Sequence, residues 1–130
     1  MIVVDASAIL EVLLLTPAAK RIGDKIFASG QTLHAPHIID LEVAQALRRY
    51  ALADKLDPAR GLMAIEDFTS FPVIRYAHHP FLPRIWQLRL NVTACDAAYL
   101  ALAEALGVPL VTRDAALARA TGHRARVQLV

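Results

Sequence analysis

The sequence has little of what several protein classes depend on. Its single cysteine, Cys95, excludes an internal disulfide and has no Cys or His neighbour at metal-ligand spacing, so we expect an inert core thiol. The apolar runs at residues 12–15 and 97–103 fall far short of the ~20 residues that cross a bilayer. The chain does not open with the basic start and apolar stretch of a secretory signal. We therefore predict a cytoplasmic protein with no membrane association.

Length and composition predict one domain that covers residues 1–130. A chain of 130 residues can bury a core without a disulfide or a structural metal. Hydrophobic residues make up 56% of the chain, and we expect part of this apolar surface to contact a partner. The net charge is only +2, but four arginines crowd the last stretch, where they could bind a phosphate backbone or simply lie on a solvated surface: Arg113, Arg119, Arg124 and Arg126.

Short apolar strands alternate with helices along the whole chain. Strand patterns occupy residues 2–4, 31–35, 72–76, 108–112 and, at the sheet edge, 127–130; helical patterns occupy residues 8–15, 17–29, 38–53, 58–70, 81–90, 94–106 and 115–120. Ser7 is expected to cap the first helix, and residues 78–80 to form a solvated loop. This alternation predicts an α/β three-layer sandwich, in which a central parallel sheet of four to five short strands is flanked by helices.

Four acidic residues fall at positions that such a fold brings to one edge of the sheet. Asp5 ends the first strand, and Asp114 follows the strand at 108–112. Because helices run antiparallel to the strands they connect, Glu42 and Asp96, early in their helices, belong to the same carboxyl edge. Clustered carboxylates take up a proton or bind a cation, and oxygen ligands suit Mg²⁺ or Mn²⁺. The pattern therefore predicts that one or two such ions bind here.

Each acid also has a structural explanation when it is taken alone. Asp114 could cap a short helix, and Thr93-x-x-Asp96 is a capping-box pattern. Glu42 could be a charge on a helix face. Asp5 is harder to explain, because a carboxylate that closes an apolar parallel strand lies near the buried interior. The joint placement of the four residues favours a site over four separate structural roles.

Other polar residues near the acids are candidates for supporting roles. Ser7 and Thr112 each lie two residues from a predicted site acid and could orient a carboxylate or a water, although a plain capping role explains Ser7 equally well. Tyr99 lies in the nearly all-apolar run after Asp96, and we expect it to fill the core. The five histidines share no ligand spacing, and we assign them no chemistry.

The motifs around the acids resemble those of a known family over essentially the whole chain. They are Val3-Val4-Asp5-Ala6-Ser7, Ala35-Pro36 followed by Glu42 and Leu47-Arg48-Arg49, Thr93-x-x-Asp96-Ala97-Ala98-Tyr99, and Leu110-Val111-Thr112-x-Asp114. In this combination the sequence resembles the PIN-domain nucleases, and in particular the VapC-like toxins of bacterial toxin–antitoxin pairs. Cys95 departs from the pattern, since an aromatic residue is common there.

The resemblance implies a Mg²⁺- or Mn²⁺-dependent endoribonuclease that hydrolyses RNA phosphodiester bonds. It also implies a homodimer and a cognate antitoxin whose tail occupies the acidic groove. The family's acidic site carries over to Asp5, Glu42, Asp96 and Asp114, with Ser7 and Thr112 as supporting residues.

Other functions stay open at this point. An RNA-processing nuclease without a toxin role would have the same motifs, as would an inactive partner-binding module. A phosphate-accepting receiver domain is also a small parallel α/β fold with an acidic Mg²⁺ pocket. The residues count against a receiver, because Asp5 stands alone after the first strand and the segment Val73-Ile74-Arg75-Tyr76 supplies no acceptor aspartate.

Overall fold

The computed structural model describes residues 1–130, with five strands and seven α-helices. The strands are β1 (Ile2–Val4), β2 (Leu33–Pro36), β3 (Val73–Tyr76), β4 (Leu110–Thr112) and β5 (Val127–Leu129). The helices are α1 (Ala6–Leu13), α2 (Ala19–Ile26), α3 (Ile38–Leu52), α4 (Pro58–Thr69), α5 (Leu82–Gln87), α6 (Ala94–Leu106) and α7 (Ala115–Arg119), and a 3₁₀ turn, His79–Phe81, precedes α5. Every predicted strand and helix is present, with ends shifted by a few residues.

All five strands run parallel in one sheet, in the order β3-β2-β1-β4-β5. The chain first adds β2 and β3 on one side of β1, and then crosses back to add β4 and β5 on the other side. The strand order therefore reverses between β1 and β4, and such a reversal opens a crevice at the carboxyl ends of the two strands. The predicted parallel α/β sheet is confirmed, with β5 at its edge.

The helices form two groups around the sheet. Helices α2, α3 and α4 each contact α1, whereas α5 packs on α6, which lies against β1, β2 and β4. Residues 97–103 of α6 are all buried, so the most apolar run of the sequence forms a core helix. None of the helices combines the length and the apolar character that crossing a membrane requires.

The junction between β1 and α1 differs from the prediction. The helix begins at Ala6, and Asp5, not Ser7, is its N-cap: the Asp5 carboxylate accepts a hydrogen bond from the Ala8 amide. The strand turns directly into the helix, so the side chain at the strand end occupies the capping position. Ser7 lies inside the helix and donates to Asp5 instead.

Residues 78–80 are only in part the solvated loop that we predicted, since His79 and Pro80 are exposed and His78 is half-buried. Nε2 of His78 accepts a hydrogen bond from the Ile38 amide at 3.0 Å, and residues 79–81 form the 3₁₀ turn. The first turn of α3 has no side-chain cap from His37, so one of its free amides needs another acceptor. His78 supplies that acceptor from a different segment of the chain.

Candidate active site

Asp5 lies at the centre of a buried hydrogen-bond network at the carboxyl end of β1. The residue is only 6% exposed. Its Oδ1 accepts from the Ser7 hydroxyl at 2.5 Å and from the Ala8 amide at 3.3 Å, and its Oδ2 accepts from the Thr112 hydroxyl at 2.6 Å. Burial raises the pKa of Asp5, and the hydrogen bonds oppose this rise because they favour the charged carboxylate. The carboxylate is therefore held in one orientation.

Ser7 and Thr112 connect the end of β4 to the start of α1. Besides donating to Asp5, Oγ1 of Thr112 accepts from the Asp114 amide at 2.9 Å. Oγ of Ser7 accepts from the Arg113 amide at 2.9 Å, and the two hydroxyl oxygens lie 3.3 Å apart. The two residues predicted to play supporting roles thus join the ends of adjacent strands around Asp5.

Asp114 follows β4 at the same edge and uses one oxygen as a helix cap. Its Oδ1 accepts from the amides of Ala116 and Leu117 at 2.8 and 3.2 Å, and α7 begins directly after it. The helix-capping role that we considered for Asp114 is therefore confirmed. Oδ2 has no donor from the protein, and the residue is exposed, so the cap leaves one oxygen for other contacts.

Glu42 reaches the same edge from the second turn of α3. Its Oε1 is buried and has no hydrogen-bond partner. Burial, followed by the charges of Asp5 and Asp96, raises the pKa of Glu42 from 4.5 to about 7. An unpaired buried carboxylate oxygen destabilises a protein unless something else compensates it. The structure thus places Glu42 where the charges of Asp5 and Asp96 act on it.

Asp96 lies in the first turn of α6, where Thr93 is the N-cap that the sequence predicted. Oγ1 of Thr93 accepts from the Asp96 amide at 3.2 Å. Burial and the charge of Asp114 raise the pKa of Asp96, and the Thr93 hydroxyl lowers it. The four residues therefore influence one another across four chain segments and form what we call the acidic cluster: Asp5, Glu42, Asp96 and Asp114.

The acidic cluster suits a hard cation, although its side chains do not form a closed set of ligands. No three histidine, cysteine, aspartate or glutamate side chains converge closely enough to surround a metal ion. Carboxylates repel one another when no cation lies between them, and Mg²⁺ typically keeps several waters and takes one or two carboxylates. A cation would lower the pKa of Glu42, because it favours the charged carboxylate, and would give the buried Oε1 a partner. The all-oxygen donor set fits Mg²⁺ or Mn²⁺ better than a softer metal.

A groove of about 500 Å³ runs beside the acidic cluster, between α1 and α3. Glu11 lines it, forms an ion pair with Arg113 at 3.3 Å, and accepts a hydrogen bond from Thr16. We did not predict Glu11 as part of this region. It follows Ser7 by four residues on α1, and that spacing places both on one helix face, which was the available signal.

Comparison with known proteins identifies the family. The PIN domain family model matches residues 2–122, most of the chain. This chain belongs to the PIN-domain family. Ribonuclease VapC12 of Mycobacterium tuberculosis is 44% identical to this PIN-domain chain over 130 residues, which is 100% of this chain and 99% of VapC12. The family resemblance drawn from the motifs is confirmed.

Solved structures confirm the fold of this PIN-domain chain. VapC20 of Mycobacterium tuberculosis, a sarcin-ricin loop cleaving toxin, has a TM-score of 0.69 at 14% identity, over 95% of this chain and 97% of VapC20. VapBC2 from Rickettsia felis, bound to a DNA fragment from its promoter, has a TM-score of 0.65 at 13% identity, over 99% of this chain and 98% of that one. At such low identities the likeness concerns the fold alone.

The PIN fold separates the arginines that we predicted to contact RNA: Arg113, Arg119, Arg124 and Arg126. Arg113 borders the acidic cluster, directly after β4. Arg124 and Arg126 lie at the opposite edge of the sheet, where the strands begin. The Arg126 carbonyl accepts a hydrogen bond from the Leu110 amide at the start of β4, and the Arg124 amide donates one to Glu104 near the end of α6. Arg119 lies in the last turn of α7. The four do not form one basic surface at the acidic edge.

Cys95 is exposed, so the prediction of a core thiol is wrong. It occupies the first turn of α6, before the buried run at 97–103, and so lies at the sheet edge rather than over the sheet. Partial loss of contact with solvent, followed by the charges of Glu42 and Asp96, raises the pKa of this thiol. A raised pKa favours the less reactive thiol form. Tyr99, by contrast, is buried in the core as predicted.

Proposed function

We propose that this chain is an endoribonuclease that hydrolyses RNA phosphodiester bonds and acts as the toxin of a toxin–antitoxin pair. Membership of the PIN-domain family and full-length identity of 44% with Ribonuclease VapC12 support this activity. The observation that carries the proposal is the acidic cluster. Carboxylates from four chain segments lie at one sheet edge. Burial raises the pKa values of Asp5, Glu42 and Asp96, and repulsion between carboxylates adds to this rise for Glu42 and Asp96.

We further propose that the acidic cluster binds one or two Mg²⁺ or Mn²⁺ ions. When bound, such a cation supplies an activated water near neutral pH and neutralises charge that develops on the phosphate. Asp5 is the anchoring ligand, because its orientation is already fixed by hydrogen bonds from Ser7 and Thr112. Glu42 and Asp96 supply further oxygens. Asp114 contributes at most the oxygen that does not cap α7.

The groove between α1 and α3 leads to the acidic cluster and is where we place the RNA strand. Arg49 and Arg113 both line it, and guanidinium groups bind phosphate oxygens well. The Arg113 side chain is held in place by its ion pair with Glu11, so it is already positioned at the groove wall. These two arginines can hold the backbone on either side of the bond to be cleaved.

RNA cleavage by the purified protein tests the metal and the site together. We expect cleavage with added Mg²⁺ or Mn²⁺, none with a chelator, and a loss of about 100-fold or more in Asp5→Asn and Asp96→Asn, because a lost ligand removes charge stabilisation. Asp67→Asn, an exposed position on α4, is the matched control. Cleavage after complete metal removal would refute the metal proposal, and full activity of Asp5→Asn would refute the site.

Growth of a bacterium that expresses the chain tests the toxin role. We expect growth arrest with the unaltered chain and normal growth with Asp5→Asn. Co-expression of a cognate antitoxin is expected to restore growth, and the two proteins should purify together. Equal growth with and without the Asp5→Asn change would favour an RNA-processing nuclease instead.

We also propose that the protein is a homodimer. Apolar side chains on and just after α5 are strongly exposed, which is unusual for side chains of this size: Leu82 at 51%, Trp86 at 68% and Leu90 at 87%. A second protomer could cover them, in line with the apolar surplus of the composition. Light scattering at several protein concentrations measures the oligomeric state directly.

A further inference from the structure

The guanidinium group of Arg113 is held from two sides at the wall of the groove between α1 and α3. Its Nε donates to Oε1 of Glu11 at 3.3 Å, and its Nη1 donates to the main-chain oxygen of Val130 at 2.6 Å. Its Nη2 donates to no protein atom. Arg49, which also lines the groove, forms no ion pair within the protein. Arg113 is thus the groove arginine with a fixed orientation, and it keeps one nitrogen as an unused donor.

Both groups that hold the Arg113 guanidinium are themselves fixed. The Val130 amide donates to the Thr112 carbonyl at 2.9 Å, which continues the pairing of β5 with β4. Glu11 accepts from the Thr16 hydroxyl with its second carboxylate oxygen, Oε2, and the Thr16 amide donates to the Glu11 carbonyl at 3.2 Å. Each carboxylate oxygen of Glu11 therefore has one partner, so that Thr16 holds Glu11 while Glu11 holds Arg113.

The ion pair between Glu11 and Arg113 is poorly explained by folding stability. The Arg113 side chain is 36% exposed, the Glu11 side chain is 23% exposed, and only one carboxylate oxygen makes the contact. Ion pairs that reach solvent in this way contribute little to stability. A carboxylate at the wall of a groove that is proposed to hold RNA would also repel the phosphate backbone. Neither stability nor attraction of RNA therefore explains a glutamate at this position.

We propose that Glu11 is a positioning residue, which holds the Arg113 guanidinium so that its Nη2 donates to a phosphate oxygen of the bound RNA. The inference rests on the proposed ribonuclease function and on the path of the RNA along the groove. An arginine that is held in advance loses less side-chain freedom when it binds a phosphate, so the same contact binds RNA more strongly. Glu11 touches neither RNA nor the reacting atoms, and acts only through Arg113.

Glu11→Gln tests this role, because positioning and charge predict opposite results. If Glu11 acted by charge alone, loss of its carboxylate would strengthen RNA binding, since one source of repulsion is removed. If Glu11 orients Arg113, the same change weakens RNA binding. The Kd of a fluorescein-labelled RNA oligonucleotide is measured by anisotropy in the presence of a chelator, and KM and kcat are measured for cleavage of the same RNA with Mn²⁺.

We expect Glu11→Gln to raise Kd and KM by ~3-fold, because an arginine that is free to move must be ordered when RNA binds. The value of kcat should not change, since the contact is the same in the ground state and the transition state. Tm should also stay unchanged, because the ion pair reaches solvent. Glu66→Gln, at an exposed position of α4, removes the same charge away from the groove and should leave Kd unchanged.

A double-mutant cycle with Arg113→Gln supplies a second measurement. Once Arg113 is absent, Glu11 has no arginine to orient and only its repulsion of RNA remains, so Glu11→Gln should then lower Kd. An unchanged or lower Kd in Glu11→Gln alone would overturn this inference and leave the proposed function intact, as would an equal rise of Kd with and without Arg113. Neither binding nor cleavage of RNA by the unaltered protein would overturn both.

Discussion

Replacement of Glu42 by glutamine is expected to stabilise the metal-free protein at neutral and alkaline pH. The pKa of the Glu42 carboxyl is 4.5 in an unfolded chain and about 7 in the folded protein. Below pH 4.5 both states hold the proton, and Glu42 has no effect on stability. As the pH rises from 4.5 to 7 the unfolded chain releases its proton first, so the folded state loses stability. Above pH 7 the destabilisation is complete.

The size of this effect follows from the pKa and the exposure of the side chain. At about 1.4 kcal/mol per pH unit, a rise from 4.5 to about 7 corresponds to about 3 kcal/mol. Glu42 is only partly buried, and solvent screens its repulsion from the other carboxylates. We therefore expect Glu42→Gln to increase the free energy of unfolding by about 1–2 kcal/mol at pH 8.5. For a domain of this size that gain raises Tm by about 3–8 °C.

Urea unfolding measures the free energy of unfolding directly. The experiment is run in the presence of a chelator, at intervals from pH 4 to pH 9. Glu66→Gln, on an exposed position of α4, controls for the change from carboxylate to amide. Added Mg²⁺ should stabilise the unaltered protein and should stabilise Glu42→Gln much less, because the variant has lost a ligand. If Glu42→Gln were no more stable than its parent at pH 8.5, the reasoning that burial and repulsion disfavour the Glu42 carboxylate would be refuted.

Three further substitutions test the surroundings of the site. Thr112→Val leaves Oδ2 of Asp5 without a donor and should reduce the free energy of unfolding by about 1–3 kcal/mol in urea, whereas Thr112→Ser should retain most of it. Arg113→Gln should raise KM for RNA several-fold and Arg126→Gln should not, since only Arg113 borders the acidic cluster; equal effects in the cleavage assay would contradict the proposed path of the RNA. Trp86→Glu should convert the proposed dimer to a monomer in light scattering, and an unchanged mass would count against the α5 surface.

The sheet and the edge at which the acids meet were predictable from the sequence alone. A strand that ends in Asp5, and another that is followed by Asp114, require only the local apolar pattern and the rule that parallel strands end at one edge. Because the helices run antiparallel to the strands, their first turns lie at the same edge, which predicted the positions of Glu42 and Asp96. The structure places all four at that edge, and their assignment as metal ligands stays a prediction that the cleavage assay tests.

Other features depend on contacts between distant segments, which the sequence pattern does not reveal. The four arginines are close along the chain, which suggested that they form one surface. Between Arg113 and Arg126, however, the chain passes from the carboxyl edge of the sheet to the amino edge, where β5 begins. The unpaired Oε1 of Glu42 likewise becomes visible only in the folded structure. His78 could not be recognised as the acceptor for α3, because forty residues separate it from Ile38.

The position of Asp5, at the end of β1 and the start of α1, means that selection for folding and selection for the proposed metal binding act on the same side chain. An asparagine there would still offer one oxygen to the Ala8 amide and the Ser7 hydroxyl, but it would lose the charge and the acceptor of the Thr112 hydroxyl. An alanine would leave all three donors without an acceptor. Replacement of Asp5 by alanine would therefore lower folding stability, by about 1 kcal/mol for the lost helix cap, in addition to its effect on RNA cleavage. In a relative that no longer catalyses a reaction, asparagine should be tolerated at this position, because asparagine still caps a helix and the charge is no longer needed.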